Sequence, residues 1–415
     1  VQVRVRLTVS ALEERWVPAS PPAPTGPTGP TGTTPTAAQL AAAAQAATTQ
    51  TPAATTPVAP SFLPDRAVSP GVTLVTATGT AGSTVSLYDS TFTGGVWVAR
   101  ADVTGDGTPD AVAAPGVGIA PTVNVVDGAD GRVVRSFAAY EKSFTGGVLV
   151  AAADMNGDGR AEIVTGTDTG GGPRVRVFDG LTNAVIADFL AIDDPDFRGG
   201  VRVAVGDVSG DGVPDLVAAA GFGGGPRVAV WDGKALLRGV QVRVTADFFA
   251  FEPALRNGVY PAVGAYNADR FADILIGAGP GGGPRVKAIS GELLTNGPPQ
   301  AAADSPLIDY FAGLADDRGG VRVGAVPGTT AAATVFNILT VGGSGGAGTV
   351  WDSTRRGVQS VARETALGGG LLADATGQRL FTGNTPTGTG SGLGSGVNVG
   401  TSLQQLLDSL AGLGG

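Results

Sequence analysis

Three nine-residue stretches place oxygen-bearing side chains at positions 1, 3, 5 and 9. The first holds Asp102, Thr104, Asp106 and Asp110, the second Asp154, Asn156, Asp158 and Glu162, and the third Asp207, Ser209, Asp211 and Asp215. Each has Gly at position 6, where a sharp turn leaves the carbonyl of position 7 free to point at an ion. Short Asp stems hold their oxygens close to the backbone, which suits calcium, a cation that takes six to eight oxygens at about 2.3 to 2.6 Å. The expected ligands are the side chains at positions 1, 3, 5 and 9 together with the main-chain oxygens of Thr108, Arg160 and Val213. Magnesium suits such a loop less, because it demands a near-ideal octahedron and retains waters.

The competing reading is that Asp and Gly merely shape turns through side-chain to backbone bonds. Repulsion argues against it, since several carboxylates in one tight loop are costly without a cation. The loops are not EF-hands: the bidentate Glu at position 12 is missing and the flanking segments read as strands. A fourth copy has decayed. Asn267, Asp269 and Asp273 remain, but Ala265 stands at position 1 and Arg270 replaces the turn Gly, offering a positive charge in place of a metal. The fifth copy, residues 327–336, has no carboxylate.

Composition excludes several chemistries. Without Cys or His there are no disulfides, no thiolate nucleophile, no imidazole ligand and no histidine acid–base catalyst. Asp193, Asp194, Asp196 and Glu252 form no recognisable catalytic pair, so an enzyme is not expected. The net charge of −9 argues against a surface that tracks phosphates, so nucleic acid is not an expected partner. Residues 277–282 match a dinucleotide fingerprint, but they lead into another strand rather than a helix N-terminus. Arg174, Arg227 and Arg285 each end a Gly-Gly-Gly-Pro-Arg turn. Their default role is solvated or structural, and the sharper alternative is a cationic ring for an acidic glycan or peptide.

The elements that must hold these residues repeat. With 68 Gly, 28 Pro and frequent Val, Thr and Ala, the chain reads as many short strands joined by tight turns. A Gly-Gly-Val step, or a variant of it, recurs at Val96, Val148, Val201, Val259, Val321 and weakly at Leu371, a period of about fifty to sixty residues. Each unit then gives a strand with alternating apolar positions (Val201, Val203, Val205), the Asp-rich loop, and a second strand such as residues 215–220. A Gly-rich turn, a third strand at 227–231 closed by a hairpin signal at Asp232 and Gly233, and a fourth at 244–251 complete the set. Four antiparallel strands per unit make a propeller blade. The first unit shows no clear fourth strand.

Residues 72–79 and 83–89 read as second and third strands, and 371–375 as a first strand, so the two ends are expected to share one blade. The expected fold is thus all-β, a propeller of six four-stranded blades over 71–380, closed by its N- and C-terminal strands. Around it lie an N-terminal segment (1–16), a disordered Pro/Ala/Thr linker (17–65), a Gly/Ser/Thr linker (383–400) and a short helical tail (401–415). No stretch approaches the ~20 consecutive apolar residues of a membrane span. Residues 1–20 lack an apolar signal region, so a signal peptide is expected upstream and export is an inference.

The Asp-x-x-Gly-Asp-Gly-x-x-Asp loops, with the Gly-Ala-Gly-Pro280 and Ala-Ala-Pro115-Gly stretches, make residues 71–380 resemble bacterial FG-GAP/VCBS repeat proteins, relatives of the integrin α-subunit propeller. The resemblance implies a secreted or cell-surface propeller stabilised by calcium and used for adhesion or ligand recognition, here as a monomer meeting an unknown protein or glycan. A lectin-like propeller is the alternative, although sugar binding normally wants exposed Trp or Tyr, and the chain has 4 and 5 of these.

Overall fold

The computed structural model describes residues 71–75, 81–92, 94–267, 269–327, 336–342, 348–352, 359–363, 371–373 and 379–383. The chain divides into Val1–Ala54 and Thr55–Gly415, and every described residue lies in the second unit. The expected N-terminal segment, both linkers and the helical tail fall outside the described residues.

In chain order the strands are β1 (Gly71–Val75) and β2 (Ala81–Ser86); β3 (Val96–Ala101), β4 (Asp110–Pro115), β5 (Thr122–Val126) and β6 (Val133–Ala138); β7 (Val148–Ala153), β8 (Glu162–Thr167), β9 (Arg174–Phe178) and β10 (Val185–Leu190). There follow β11 (Val201–Gly206), β12 (Asp215–Ala220), β13 (Arg227–Trp231) and β14 (Phe248–Phe249); β15 (Val259–Gly264), β16 (Asp273–Ala278), β17 (Arg285–Ile289) and β18 (Ile308–Phe311). The last are β19 (Val321–Pro327), β20 (Phe336–Gly342), β21 (Gly348–Asp352) and β22 (Gln359–Arg363), then β23 (Leu371–Ala373) and β24 (Arg379–Gly383). The described helices are short: α1 (Gly233–Leu236), α2 (Gly291–Asn296) and α3 (Pro299–Asp304).

These strands form four-stranded antiparallel sheets, five of them built from consecutive strands, β3 to β6 through β19 to β22. The remaining sheet has the order β2-β1-β24-β23 and joins the two ends of the array. Here the structure corrects the strand assignment. Residues 71–75 and 81–86 are third and fourth strands, not second and third, and the C-terminal end supplies two strands, pairing Val72 with Gly383 and Leu74 with Phe381. Alternating patterns read alike wherever a strand stands in its sheet, so pairing decides position.

First strands of successive sheets pack on one another, β3 on β7, β7 on β11, β11 on β15 and β15 on β19. This explains the burial gradient across each sheet. Every residue of β7, β8, β11 and β12 is buried, whereas the residues of β6 and β10 are exposed or half-buried except for buried Ala187. The missing fourth strand of the first unit is β6, whose signal is weak because the outermost strand buries little. Sheets faced on both sides require small side chains: a Cβ on Gly166 would lie 2.3 Å from the Val201 carbonyl oxygen, and one on Gly277 equally close to that of Val321.

The third unit departs from its expected hairpin. Asp232 is instead an N-cap, its Oδ1 accepting the Ala235 N–H at 2.7 Å, and it starts the one-turn helix α1. The expected fourth strand at 244–251 shrinks to β14. Its edge is completed by Gln300 of α3, whose amide accepts the Phe249 N–H at 3.0 Å and donates to the Phe249 carbonyl at 3.1 Å.

Neighbouring sheets are also tied by tyrosines that follow two of the fourth strands, β2 and β6. The Tyr140 hydroxyl donates to the Thr165 and Arg174 carbonyls of the next sheet, both at 3.0 Å. Tyr88, just after β2, reaches the Thr122 carbonyl at 2.8 Å and so ties the shared sheet to the one beginning at β3.

Candidate functional site

The Asp-rich loops all join the first strand of a sheet to the second. Gly105 and Gly107, with Gly157 and Gly159 and with Gly210 and Gly212, all take positive φ. A Cβ on Gly107, Gly159 or Gly212 would meet nothing, so Gly is needed at position 6 for conformation alone.

Inside the loops the carboxylates engage backbone N–H groups. At position 1, Asp102 accepts Gly105 N–H at 2.6 Å and Gly107 N–H at 2.7 Å, Asp154 accepts Gly157 and Gly159 N–H, and Asp207 accepts Asp211 and Gly212 N–H. At position 5, Asp106, Asp158 and Asp211 accept the N–H groups of Thr108, Arg160 and Val213. At position 3, Asn156 donates to Asp158 and to Glu162, while Thr104 donates weakly to Asp102 at 3.4 Å. Ser209 enters through its N–H, which Asp215 accepts at 2.8 Å.

Position 9 behaves differently, because it is buried. Asp110 accepts Val103 and Thr104 N–H with one oxygen and Gly128 N–H with the other. Asp215 repeats this with Ser209 and Gly233, and Asp273 with Tyr266 and Gly291. The partner Gly stands 18 residues downstream each time. It must be Gly because its Cα presses on the residue before position 9: a Cβ on Gly128 would lie 2.1 Å from the Pro109 carbonyl oxygen, and one on Gly233 2.0 Å from that of Pro214. The constant spacing was present in the sequence, and it would have exposed this pin.

Burial pushes the Asp215 and Glu162 carboxyls up to about 7 despite these hydrogen bonds. For Glu162 the negative charges of Asp154 and Asp158 add to the rise. Asp273 is also pushed up to about 7 by burial, and Asp110 is raised in the same direction.

Cations that the nonapeptide pattern did not show lie around these loops. Lys234 of α1 pairs with Asp211 at 2.8 Å. The Arg160 guanidinium leaves its own loop and donates to the Thr104 carbonyl of the first loop, and Arg135 donates to the Val103 carbonyl at 2.9 Å. Arg270 lies over the Phe271 ring, 4.9 Å from its centroid, and among the described residues it makes no ion pair with a carboxylate of its loop.

The donor chemistry, oxygen ligands with three carboxyls in each of the three loops, fits a hard cation such as calcium. The carboxylates at positions 1 and 5 are turned to backbone N–H groups, and among the described residues no three acidic side chains converge on one point. An ion would have to win those oxygens from the N–H groups.

The Gly-Gly-Gly-Pro-Arg turns resolve into ties between sheets rather than an open cationic ring. Arg285 is bidentate to Asp309 (2.8 and 2.7 Å) and reaches Glu252 of the preceding sheet at 2.8 Å. Arg174 does the same with Asp188 and Glu141, and Arg227 pairs with Asp247 while donating to the Asp193 carbonyl. Hydrogen bonding to the Arg174 guanidinium, and then to that of Arg176, holds the Asp188 carboxyl below the usual range. The dinucleotide-like stretch forms the turn between β16 and β17, with no helix behind it.

No protein-family model matches the chain. Mouse integrin alpha-7 is 28% identical over 143 residues, which cover 32% of this chain and 12% of that protein. The human integrin alpha-7 match is 27% identical over the same length. Among solved structures, the Dos1 propeller aligns with 78% of this chain and 76% of its own at 12% identity and a TM-score of 0.43. The exotype rhamnogalacturonan lyase YesX aligns with 65% of this chain and 56% of its own at 13% identity and a TM-score of 0.36. The chain thus spans a small fraction of the integrin subunits it matches. Repeated four-stranded antiparallel sheets make this chain a β-propeller in fold, and over 143 residues it is similar to integrin alpha-7.

Proposed function

We propose that this chain is a non-enzymatic, extracellular recognition module: a six-bladed propeller whose ring is closed by the sheet shared between its ends, held by structural calcium in the loops at 102–110, 154–162 and 207–215. The loop around Glu162 carries the proposal. Its carboxyl is buried and pushed up to about 7, with the negative charges of Asp154 and Asp158 adding to the rise, while no Lys or Arg forms an ion pair with Asp154, Asp158 or Glu162 among the described residues. A divalent cation that won the Asp154 and Asp158 oxygens from their backbone N–H groups would neutralise these like charges. Calcium acts in this reading as a staple and not as a reactant.

Recognition of a protein surface is favoured over a lectin role by the placement of the aromatics. Among the described residues the large exposed apolar side chains include Phe222, Phe249 and Phe311 but no Trp or Tyr on which a sugar ring would stack. The integrin match supports the same choice, and adhesion at a cell surface is its natural setting.

Isothermal titration of calcium into chelator-stripped protein tests the reading. Three sites are expected, with a rise in Tm on loading, because an ion bound only by the folded state stabilises it by mass action. Absence of binding heat together with an unchanged Tm in excess chelator would overturn the calcium claim. A glycan array run with calcium and with chelator tests the recognition claim, which robust sugar binding would reverse.

A further inference from the structure

The Asp-rich loops touch one another in pairs. The Ala161 N–H, at position 8 of the loop 154–162, donates to the carbonyl of Asp102, position 1 of the loop 102–110, at 2.7 Å. The Ala272 N–H, at position 8 of the decayed loop 265–273, donates to the Asp207 carbonyl in the same way, also at 2.7 Å. The side chain at position 7 reinforces each bond. Arg160 donates to the Thr104 carbonyl and lies against Gly105, where a Cβ would stand 2.8 Å from its Cζ. Phe271 covers Gly210 likewise, with its Cδ1 2.7 Å from the corresponding point. A third tie reaches the carbonyl of position 2: Arg135 bonds the carbonyls of Val103 and of Gly180 beyond β9, and Thr295 of α2 donates to the Val208 carbonyl at 3.2 Å.

The loops at 154–162 and 207–215 have no such contact. Position 8 of the latter is Pro214, which has no N–H to give Asp154. Its position 7 is Val213, and a Cβ on Gly157 would meet nothing within 4 Å. Among the described residues no backbone hydrogen bond joins these two loops.

The bond to Asp102 comes from the peptide unit whose carbonyl, that of Arg160, is an expected ligand in the loop 154–162. A peptide unit is planar, so fixing its carbonyl on an ion also fixes its N–H, and polarising the carbonyl strengthens the bond that the N–H makes. The accepting carbonyl belongs to Asp102, whose side chain is the first expected ligand of the neighbouring loop. An ion in either loop therefore favours the arrangement that receives the other, and the benefit is reciprocal. In the loop 207–215 the equivalent peptide unit ends in Pro214 and transmits nothing to Asp154. Asp207 is held instead by the loop 265–273, which has Ala265 where its own first ligand would stand.

Resting on the calcium reading above, we propose that the loops at 102–110 and 154–162 take up their ions cooperatively, as one pair, and that the loop at 207–215 takes up its ion independently of them. Ala161 and Arg160 are the positioning residues that carry the coupling.

The test is isothermal titration of calcium into the chelator-stripped full chain, with Asp106→Ala, Asp158→Ala and Asp211→Ala made singly and in pairs so that loops remain two at a time and one at a time. For the two loops left in Asp211→Ala, the product of the binding constants is expected to exceed the product of the single-loop constants about fivefold or more. For the two left in Asp106→Ala the products are expected to agree. Ala161→Pro removes the linking N–H with the residue that Pro109 and Pro214 already place at position 8. Added to Asp211→Ala and to its single-loop derivatives, it is expected to abolish the excess. Thermal melts in chelator establish that this variant is folded; if it is not, Arg160→Met takes its place, cuts the Thr104 tie and is expected to reduce the excess. No calcium bound by the wild type overturns the calcium reading and the coupling with it. Calcium bound with no excess in Asp211→Ala, with an equal excess in Asp106→Ala, or with an excess that the folded position 7 or 8 variant leaves untouched overturns the coupling alone.

Discussion

The Oδ1 of Asp215 accepts the backbone N–H of Gly233 at 3.0 Å, joining the loop before β12 to the turn after β13. Its other oxygen accepts the Ser209 N–H, so one buried carboxyl locks two loops of its sheet together. The same bond joins Asp110 to Gly128 and Asp273 to Gly291, which makes position 9 a structural pin whether or not an ion is bound.

Asp215→Ala leaves two backbone donors without a partner, and is expected to cost about 2 to 4 kcal/mol in urea denaturation with chelator present. Asp106→Ala, at an exposed position that accepts only the Thr108 N–H, is expected to cost about 1 kcal/mol or less under the same conditions. With calcium, Asp106→Ala is expected to lose one ion in titration. Equal costs for the two variants in chelator would contradict the pin.

Gly233→Ala places a Cβ 2.0 Å from the Pro214 carbonyl oxygen. The backbone must move to admit it, and a loss of about 1 to 3 kcal/mol is expected by denaturant melts. Gly212→Ala meets no atom and suffers only from its positive φ, so about 1 kcal/mol is expected.

Burial raises the Asp273 carboxyl from 3.8 to about 7. The folded chain therefore holds this proton more tightly than the unfolded one. The associated stability is fully present below the unfolded value and is lost as pH rises through about 7. Carboxyls held low by arginine, such as Asp188, act in the opposite sense, so the variant isolates the effect. The stability difference between wild type and Asp273→Asn is expected to shrink as pH rises from about 4 to about 8. A difference independent of pH would show that Asp273 ionises normally.

Arg285 links Asp309 of its own sheet to Glu252 of the preceding one, with both partners partly exposed. Arg285→Ala is expected to cost about 1 kcal/mol, and Arg285→Lys to recover only part of it because the bidentate fork is lost. Chemical denaturation at low and high salt checks this, with a smaller difference expected at high salt.

Much was legible before any tertiary contact was known. Strand spacing gave residues 215–220 and 227–231 as β12 and β13, because a strand's alternation and its flanking Gly are local properties. The loops at 102–110, 154–162 and 207–215 were equally plain, since the turn depends on Gly at fixed positions and the oxygens on short side chains beside them. What the sequence could not determine depends on pairing at a distance. Residues 71–75 became a third strand only because 379–383 pairs with them, and Asp232 became a helix cap rather than a hairpin turn. Arg174, Arg227 and Arg285 turned from an open cationic ring into ties between sheets once their carboxylates came within reach. Arg202 and Arg322, unremarkable in single strands, met over Tyr260 only because the sheets stack on their first strands. Local geometry is written in neighbouring residues, whereas charge pairing and burial are set by which sheets come face to face.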